Sequence, residues 1–289
     1  MKLNFGAGIN WEKDGWFILD HKIKTNNKNL ISFNAEKINL KNCSCDTVFS
    51  SHTFEHISHL ELPLVISELN RVMKKNSILR IVTPDLEKIC RAYVKKDTKF
   101  FKRLSKESKS LRTDLGKGGT LMNFIISPGQ DNVLLDRNLN NFKGGYAHIY
   151  LYDFKMLSII LKKLGFKVRK AKFLDSSIKE LREPLHVVGM KPKWKNLNNE
   201  FYKRNGLIHK LVKNTYKTNF KLTGFDKAPI QSLFIEAKKV KYVNKQKANK
   251  IFNYSKKNYN RYAFSLLYDK IFLKKLKSLK IKRNKFIKC

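Results

Sequence analysis

Short apolar runs alternate with helical patterns over the first third of the chain. Five such runs are predicted to be strands because they are short, apolar and bounded by turn-forming residues. They are Leu3–Phe5, Trp16–Leu19, Leu30–Phe33, Thr47–Phe49 and Ile78–Val82. Between the last two, apolar residues from Leu62 to Met73 recur at helical spacing. Strands that alternate with helices predict an α/β fold with a parallel sheet covered on both faces.

The second half of the chain continues this pattern with one long interruption. Residues 85–126 are mostly helical in pattern, and residues 127–147 are rich in Gly, Asn and Asp, which predicts a loop. A helix is expected from Asp153, as its N-cap, to Leu164. Two further strands are expected at Phe166–Phe173 and Ser232–Ala237. The stretch between them is too long for a hairpin loop and predicts an insertion at about 175–229.

These elements suggest one domain over residues 1–240 and a basic tail over residues 241–289. Within the tail, residues 262–282 form an amphipathic pattern, with the apolar stripe Phe264, Leu267, Tyr268, Ile271, Phe272, Leu276 and Leu279. Such a helix can dock on its own domain, lie on a membrane surface or contact nucleic acid. Docking is the commonest of these outcomes.

The sequence contains no run of 18 apolar residues, so no transmembrane helix is predicted, and the N-terminus shows no apolar signal region.

Charge is the most unusual property of the composition. The 289 residues carry a formal charge of +38, and residues 191–289 alone hold 28 basic and 4 acidic side chains. A nucleic-acid or anionic-membrane partner would explain this excess. However, Lys outnumbers Arg by 50 to 11, and Arg is the preferred side chain for bidentate phosphate contacts. A general Lys-rich composition is therefore the favoured interpretation.

Four cysteines do not form a disulfide framework, so a cytoplasmic location is expected.

The glycine segment at the end of the first strand carries the first chemical signal. Gly6-Ala7-Gly8 follows Leu3–Phe5, and Asp20 ends the second strand. Glycines let the backbone approach a ligand closely, and an acidic residue there can accept hydrogen bonds from a ribose. The third glycine of the dinucleotide fingerprint is missing, and the acidic residue comes too early. The segment thus favours a nucleoside-type cofactor over NAD.

Five ordered segments together resemble one family. They are Leu3–Gly8, Gly15–Asp20, Ser51–His56, Glu68–Lys74 and Arg80–Leu86. Their order and spacing are similar to those of class I S-adenosylmethionine-dependent methyltransferases of the type 11-like bacterial group. The resemblance covers residues 2–90 and returns near Tyr152–Phe154 and Ser232–Lys239. It implies a doubly wound Rossmann-like sheet of seven strands, with the last strand antiparallel, and S-adenosylmethionine as the cofactor.

The chain departs from the family pattern in two places. Lys75-Asn76-Ser77 replaces the usual Pro-Gly-Gly turn, which can survive because Asn tolerates a left-handed backbone. The short connection before the last strand becomes the long insertion, and this leaves the substrate more open than the cofactor.

The resemblance also implies site residues. Gly6, Ala7 and Gly8 would admit the cofactor, and Asp20 would hold its ribose. Asn34 and Ala35 would border the adenine, and Ser51 and His52 would line the pocket.

Two histidine patterns are candidates for a catalytic or metal-binding role. His148 follows the glycine-rich loop and is the candidate base for removing a proton from the methyl acceptor, although packing or capping would explain it equally well. His52-x-x-Glu55-His56 also matches a zinc-protease pattern. That pattern requires both histidines on one helix, and His52 instead follows a strand directly, so no metal site is predicted.

The resemblance leaves the acceptor open. A small molecule or a sugar, as in cell-surface polysaccharide biosynthesis, is the first expectation, by analogy alone. The alternatives are an RNA methyltransferase that uses the basic C-terminal third, a binding protein without catalysis on the same fold, and an NAD-dependent enzyme. Peripheral membrane contact through residues 262–282 is a further expectation, and the oligomeric state is not predicted.

Overall fold

The structure is a computed structural model of the chain. It describes residues 1–8, 11–20, 29–34, 37–107, 116–126, 148–188, 221–244 and 246–250. The expected loop at 127–147, the centre of the expected insertion at 189–220 and the tail beyond residue 250 lie outside these residues. The amphipathic segment 262–282 lies there too. The domain boundaries therefore remain predictions.

The central feature is one mixed sheet whose strands are ordered β4-β3-β2-β1-β5-β6-β10-β7. The first group is β1 (Lys2–Phe5), β2 (Trp16–Asp20), β3 (Leu30–Asn34), β4 (Lys37–Ile38) and β5 (Cys45–Ser51). The second group is β6 (Met73–Pro84), β7 (Phe166–Ala171) and β10 (Ser232–Lys239). Strand β10 is antiparallel to both β6 and β7. This arrangement confirms the expected seven strands with the last one antiparallel, and it adds the two-residue β4 at the edge.

Five helices accompany the sheet among the described residues. They are α1 (Leu62–Val72), α2 (Leu86–Val94), α3 (Thr98–Glu107), α4 (Gly116–Ile126) and α5 (Phe154–Lys163). The Asp153 carboxylate accepts a hydrogen bond from the Met156 amide, as its N-cap role requires. Helices α2 to α4 fall inside the segment expected to be helical, and they share a small apolar cluster of their own.

One face of the sheet is covered by helices. Alternate strand residues such as Leu3, Val48 and Leu79 point to this face and pack against α1 and α5. Helix α1 buries most of its length here, and α5 contributes Leu157 and Leu161. The apolar residues that alternate along the strands and those that recur at helical spacing therefore pack together in one core.

The opposite face is covered by an aromatic cluster rather than by helices, as far as the described residues show. Trp11, Trp16, Phe49 and Phe225 pack with ring centroids 4.8 to 6.0 Å apart. Phe225 comes from the segment expected to be an insertion, which also contributes the two-stranded ladder β8 (His186–Val188) and β9 (Lys221–Thr223). This segment therefore closes a face that the sequence pattern assigned to helices.

A buried ion pair anchors the same segment to the sheet. Arg80 points from the centre of β6 to this face, is fully buried, and forms a two-point salt bridge with Asp226. It also donates to the carbonyls of Lys172 and Asp175, and its Nη1 lies 3.6 Å from the Glu236 carboxylate. A buried charge is tolerated only when it is paired and hydrogen-bonded, so Arg80 depends on these partners.

Candidate cofactor site and acceptor side

The carboxyl ends of β1, β2, β5 and β6 form the edge at which the candidate residues meet. Ligands of open α/β sheets bind outside these strand ends, next to the point where the strand order reverses. Strand β1 pairs with β2 on one side and with β5 on the other, so the loops that follow the three strands are neighbours. The register places Phe5 opposite both Leu19 and Ser50.

The two glycines after β1 are needed for different reasons. Both have positive φ, 74° at Gly6 and 72° at Gly8, which side chains disfavour. A Cβ on Gly6 would lie 2.1 Å from Oγ1 of Thr53, so this glycine makes room for a neighbouring loop. A Cβ on Gly8 would meet no atom of the described part of the chain within 4 Å, so Gly8 presents bare backbone at the edge of the sheet.

Asp20 lies at the end of β2 and is tied directly to this loop. Its Oδ2 accepts a hydrogen bond of 2.9 Å from the Gly8 amide. The bond joins the glycine segment and the acidic residue, which the sequence had linked only by spacing. It fixes the path of the glycine loop relative to β2.

Unsatisfied polar atoms lie on the two central strands. The Ser51 hydroxyl, at the end of β5, is buried and has no hydrogen-bond partner among the described residues. The same holds for Oδ1 of Asn4, in the middle of β1. Buried polar atoms are normally paired, so an unpaired hydroxyl at a strand end is a typical contact for a bound ligand.

Two predicted adenine contacts are only partly described. The backbone of Asn34 ends β3, and β3 pairs with β2 beside Asp20. Ala35 lies outside the described residues. Asn34 is therefore two strands from β1 on the same edge, as its predicted role requires, and the role itself remains a prediction.

His52 takes a strained backbone conformation directly after β5. Its φ of 53° is left-handed, which is uncommon for a residue with a side chain and is concentrated at functional sites. Its Nε2 lies 3.1 Å from the Ser232 hydroxyl and its Nδ1 lies 3.2 Å from Oε1 of Glu55. Burial, helped by the charge of Lys227, lowers the pKa of His52 to about 4, so its ring is neutral at pH 7.

Glu55 is a fully buried carboxylate on a short 3-10 turn, Phe54–His56. Its Oε2 accepts a hydrogen bond from the Thr83 hydroxyl at 3.0 Å. Burial alone would raise the pKa of Glu55, but the contact with His52 and the nearby rings of His56 and His148 lower it to about 2. Glu55 is therefore charged at neutral pH.

The backbone brings His148 next to Glu55, 93 positions earlier in the chain. The amides of Ile149 and Tyr150 both donate to the Glu55 carbonyl. The His148 ring lies 5.3 Å from the His56 ring, and its Nδ1 is 2.9 Å from the Phe124 carbonyl. Burial lowers the pKa of His148. Because a carbonyl can only accept, Nδ1 carries the hydrogen and Nε2 of the neutral ring carries the lone pair.

A cavity of about 420 Å³ adjoins His148. Its lining is mostly apolar and consists of Leu86, Ile125, Ile126, His148, Ile149, Tyr150, Leu151 and Met156. A small-molecule site is commonly an apolar hollow with a few polar groups. His148 and Tyr150 supply those polar groups here.

Three contributors to this edge were not predicted from the sequence. Thr53 fills the space over Gly6, and Trp11 donates from its ring nitrogen to the Gly224 carbonyl, which attaches the glycine loop to the distant segment. Lys227 from that segment lies near His52 and Glu55, and burial lowers its pKa. Only the aromatic residue type of Trp11 was a signal for burial. The other two contacts depend on how distant loops meet.

Comparisons with known proteins agree with this arrangement. A family model described as a methyltransferase domain matches residues 18–81, which run from β2 into β6. None of the curated proteins compared with the chain matches it. The strand order and the glycine edge are those expected of the class I methyltransferase fold, and the family match lies within this sheet. The chain is thus similar to the S-adenosylmethionine-dependent methyltransferases of this class.

Several solved structures are similar at low identity. An S-adenosylmethionine-dependent methyltransferase from Archaeoglobus fulgidus is 17% identical, with 82% of this chain and 85% of that chain covered and a TM-score of 0.36. One from Mesorhizobium loti is 10% identical, with coverages of 82% and 90% and a TM-score of 0.37. One from Aquifex aeolicus is 15% identical, with coverages of 59% and 74% and a TM-score of 0.32.

The described residues fit the cofactor of this class. Gly8 leaves bare backbone, Asp20 offers a carboxylate, and Ser51 offers a buried hydroxyl without a partner among the described residues. These are the groups that a nucleoside with ribose hydroxyls requires.

No helix among the described residues is both long and apolar enough to cross a membrane.

Proposed function

We propose that the protein transfers a methyl group from S-adenosylmethionine to a small-molecule acceptor bound beside His148. The observation that supports this most is the hydrogen bond between the Gly8 amide and Asp20 at the carboxyl edge of the sheet. It joins the two elements that hold an adenosyl cofactor in this class. The cavity next to His148 supports a small acceptor.

The proposed cofactor contacts follow from the geometry of the edge. Gly6 and Gly8 let the backbone pass close to the cofactor, and the Asp20 carboxylate holds its ribose hydroxyls. Ser51, at the end of β5, and His52, directly after it, line the pocket. Asn34, which ends β3, and Ala35 would border the adenine, as the resemblance to the family implies. When bound, the cofactor supplies a methyl group on a positively charged sulfur, ready for attack by an oxygen or nitrogen.

Proton removal is the second task of the site. An acceptor hydroxyl or amine must lose a proton as it becomes methylated, and a well-placed base speeds such a reaction by about 10²- to 10⁴-fold. His148 holds its Nδ1 hydrogen on the Phe124 carbonyl, so Nε2 is the atom that can take the proton. Its lowered pKa keeps the ring neutral, and therefore basic, at pH 7.

The acceptor class is the finer part of the proposal. The apolar lining of the cavity suits a small molecule with an apolar part, and sugars are the first polar class to test. The rival acceptor is RNA, because residues 191–289 carry 28 basic and 4 acidic side chains. Methylation of RNA that weakens steeply with salt would favour that alternative.

A methyl-transfer assay tests the proposal. The full chain is incubated with labelled S-adenosylmethionine and pools of hydroxylated small molecules, amines, sugars or RNA. We expect label in a small-molecule pool, and a 10²- to 10⁴-fold loss in His148→Gln. His186→Gln is the matched control, because His186 lies in β8 away from this cluster, and it should keep full activity. Label that enters RNA alone, or an unchanged rate in His148→Gln, would contradict the acceptor side of the proposal.

A further inference from the structure

Three potential metal ligands meet on the acceptor side of the site. Glu55, His56 and His148 each offer one ligand atom, and these atoms all lie within 4.8 Å of one another. Glu55 is fully buried, while the side chains of His56 and His148 are half-buried. The cluster is thus accessible to solvent at the two histidines and buried at the Glu55 carboxylate.

The fold, rather than flexible side chains, creates this proximity. Glu55 and His56 are neighbours on the 3-10 turn after β5. His148 is held by the chain that follows it, because the amides of Ile149 and Tyr150 donate to the Glu55 carbonyl. The backbone therefore fixes both halves of the cluster.

Two of the ligands are already oriented by second contacts. His148 donates Nδ1–H to the Phe124 carbonyl, which directs the Nε2 lone pair away from that bond. Metal-binding histidines almost always make such a contact with their other ring nitrogen. Glu55 is held in the same way, by the Thr83 hydroxyl on Oε2.

The other oxygen of Glu55 is the independent sign of a ligand. Oε1 is buried and has no hydrogen-bond partner among the described residues. The nearest ring nitrogens are Nδ1 of His52, at 3.2 Å, and Nε2 of His56, at 4.0 Å. A buried carboxylate oxygen without a donor is costly unless a cation or another partner satisfies it.

We infer that Glu55, His56 and His148 form a binding site for a divalent transition-metal ion such as Zn²⁺. Two imidazoles and one carboxylate are the ligands of several catalytic zinc and iron sites, which keep a position open for substrate. In a tetrahedral site, metal–ligand bonds of about 2.0–2.2 Å place the ligand atoms about 3.3–3.6 Å apart. The three ligand atoms all lie within 4.8 Å of one another, so side-chain rotation would have to bring them closer together to close the site around an ion.

This site differs from the zinc-protease pattern considered in the sequence. That pattern would use His52 and His56, but His52 contacts Ser232 and Glu55 with its two ring nitrogens. The third ligand is instead His148, which no local motif indicates. The inference thus departs from the sequence prediction that the chain has no metal site.

Cation binding would change the role of His148. The ion would occupy the Nε2 lone pair, so His148 would no longer take the acceptor proton. A bound divalent ion lowers the pKa of a hydroxyl or water that coordinates to it, and the proton would then leave to solvent. This consequence rests on the proposed function, whereas binding of the ion does not.

The test is titration of the chelator-treated full chain with Zn²⁺ and with Co²⁺, whose visible absorption reports the coordination of the ion. We expect one ion per chain and at least a tenfold loss of affinity in His56→Ala, Glu55→Gln and His148→Gln. His186→Ala is the control and should bind as the wild type does. His56→Ala is the decisive variant, because His56 is partly exposed whereas Glu55 is fully buried, and the variant's thermal unfolding is measured beside binding so that a lost fold is distinguished from a lost ligand.

Equal affinity in His56→Ala and the wild type, or no ion bound by the wild type, would overturn the inference. S-adenosylmethionine binding is measured on the same samples. If the ion binds while the cofactor does not, the proposed function fails and the metal site stands. If the cofactor binds while no ion does, the metal site fails and His148 remains the candidate base.

Discussion

At the scale of single residues, position in space separates groups that look alike in the sequence. Gly6 and Gly8 form one motif, yet Gly6 makes room for Thr53, whereas a Cβ on Gly8 would meet no atom of the described residues within 4 Å. Glu55 follows His52 by three residues in an ordinary polar stretch, yet it is the most deeply buried carboxylate of the site. Each difference leads to a test.

Alanine at the two glycines should have different effects. Both substitutions carry the strain of a left-handed backbone, about 1–2 kcal/mol. Gly6→Ala also places a Cβ 2.1 Å from Thr53 Oγ1, so we expect it to lower the free energy of unfolding by at least about 1 kcal/mol more than Gly8→Ala. Urea denaturation measures both. Equal losses would show that Thr53 yields easily and that the Gly6 contact is unimportant.

The buried ring of His52 should make stability depend on pH. Its folded pKa of about 4 lies below the ordinary value of 6.5, so the unfolded chain binds a proton that the folded chain does not. This contribution is fully present above about pH 6.5 and is lost as the pH falls towards 4. Between pH 7 and pH 5 it amounts to about 1–2 kcal/mol.

His52→Asn tests this contribution, because Asn tolerates the left-handed φ of 53°. The free energy of unfolding is measured in urea at pH 7 and at pH 5. We expect the variant to lose clearly less stability over this range than the wild type. A variant with the same loss as the wild type would show that His52 titrates normally in the folded chain.

At the scale of elements, the positions of the strands and helices were predicted well from the sequence, but the segments that cover the second face of the sheet were not. All seven main strands lie where apolar runs and turn residues placed them, and α1 and α5 follow the helical spacing. Asn76 has the left-handed φ, 67°, expected of a substitute for Pro-Gly-Gly, but it lies within β6, at a shift in the register with β5, rather than in a separate turn. These features depend on neighbours in the chain, so local patterns indicate them.

The covering of the second face depends on distant residues instead. Phe225 packs on Trp16, and Asp226 pairs with Arg80 across 146 positions. An alternating pattern shows that a strand residue is buried, but it does not show which segment buries it. The aromatic and ionic partners in the segment before β10 could therefore not be assigned from the sequence.

Arg80 should be much more important for stability than an exposed arginine. Arg80→Met leaves the Asp226 and Glu236 carboxylates buried beside an uncharged side chain, which costs about 3–5 kcal/mol. Arg91 pairs with Glu87 on the exposed side of α2, so Arg91→Met should change stability by less than about 1 kcal/mol. Urea denaturation compares the two.

A double variant separates lost pairing from lost packing. In Arg80→Met/Asp226→Leu one stranded charge is removed as well, so part of the loss should be recovered. If Arg80→Met costs no more than Arg91→Met, the buried pair does not hold the segment to the sheet.

At the scale of the whole molecule, one edge of the sheet collects the chemistry. The contact between Gly8 and Asp20, on the proposed cofactor side, was predictable because a glycine turn and an acidic strand end are local signals. The acceptor side was only partly predictable. His148 was singled out by its residue type, but its meeting with Glu55 and His56 requires two backbone hydrogen bonds between distant segments. The role of the basic segment 241–289 remains a prediction.

The central claim is that the glycine loop and Asp20 bind an adenosyl cofactor, and calorimetric titration tests it most directly. The full chain is titrated with S-adenosylmethionine, S-adenosylhomocysteine and NAD, and so are the variants Asp20→Ala and Asp14→Ala. Asp14→Ala is the control, because Asp14 is an exposed aspartate in the connection between β1 and β2. We expect both adenosyl ligands to bind, NAD not to compete, and Asp20→Ala alone to weaken binding at least tenfold. Binding that Asp20→Ala leaves unchanged, or no binding of either adenosyl ligand, would contradict the account.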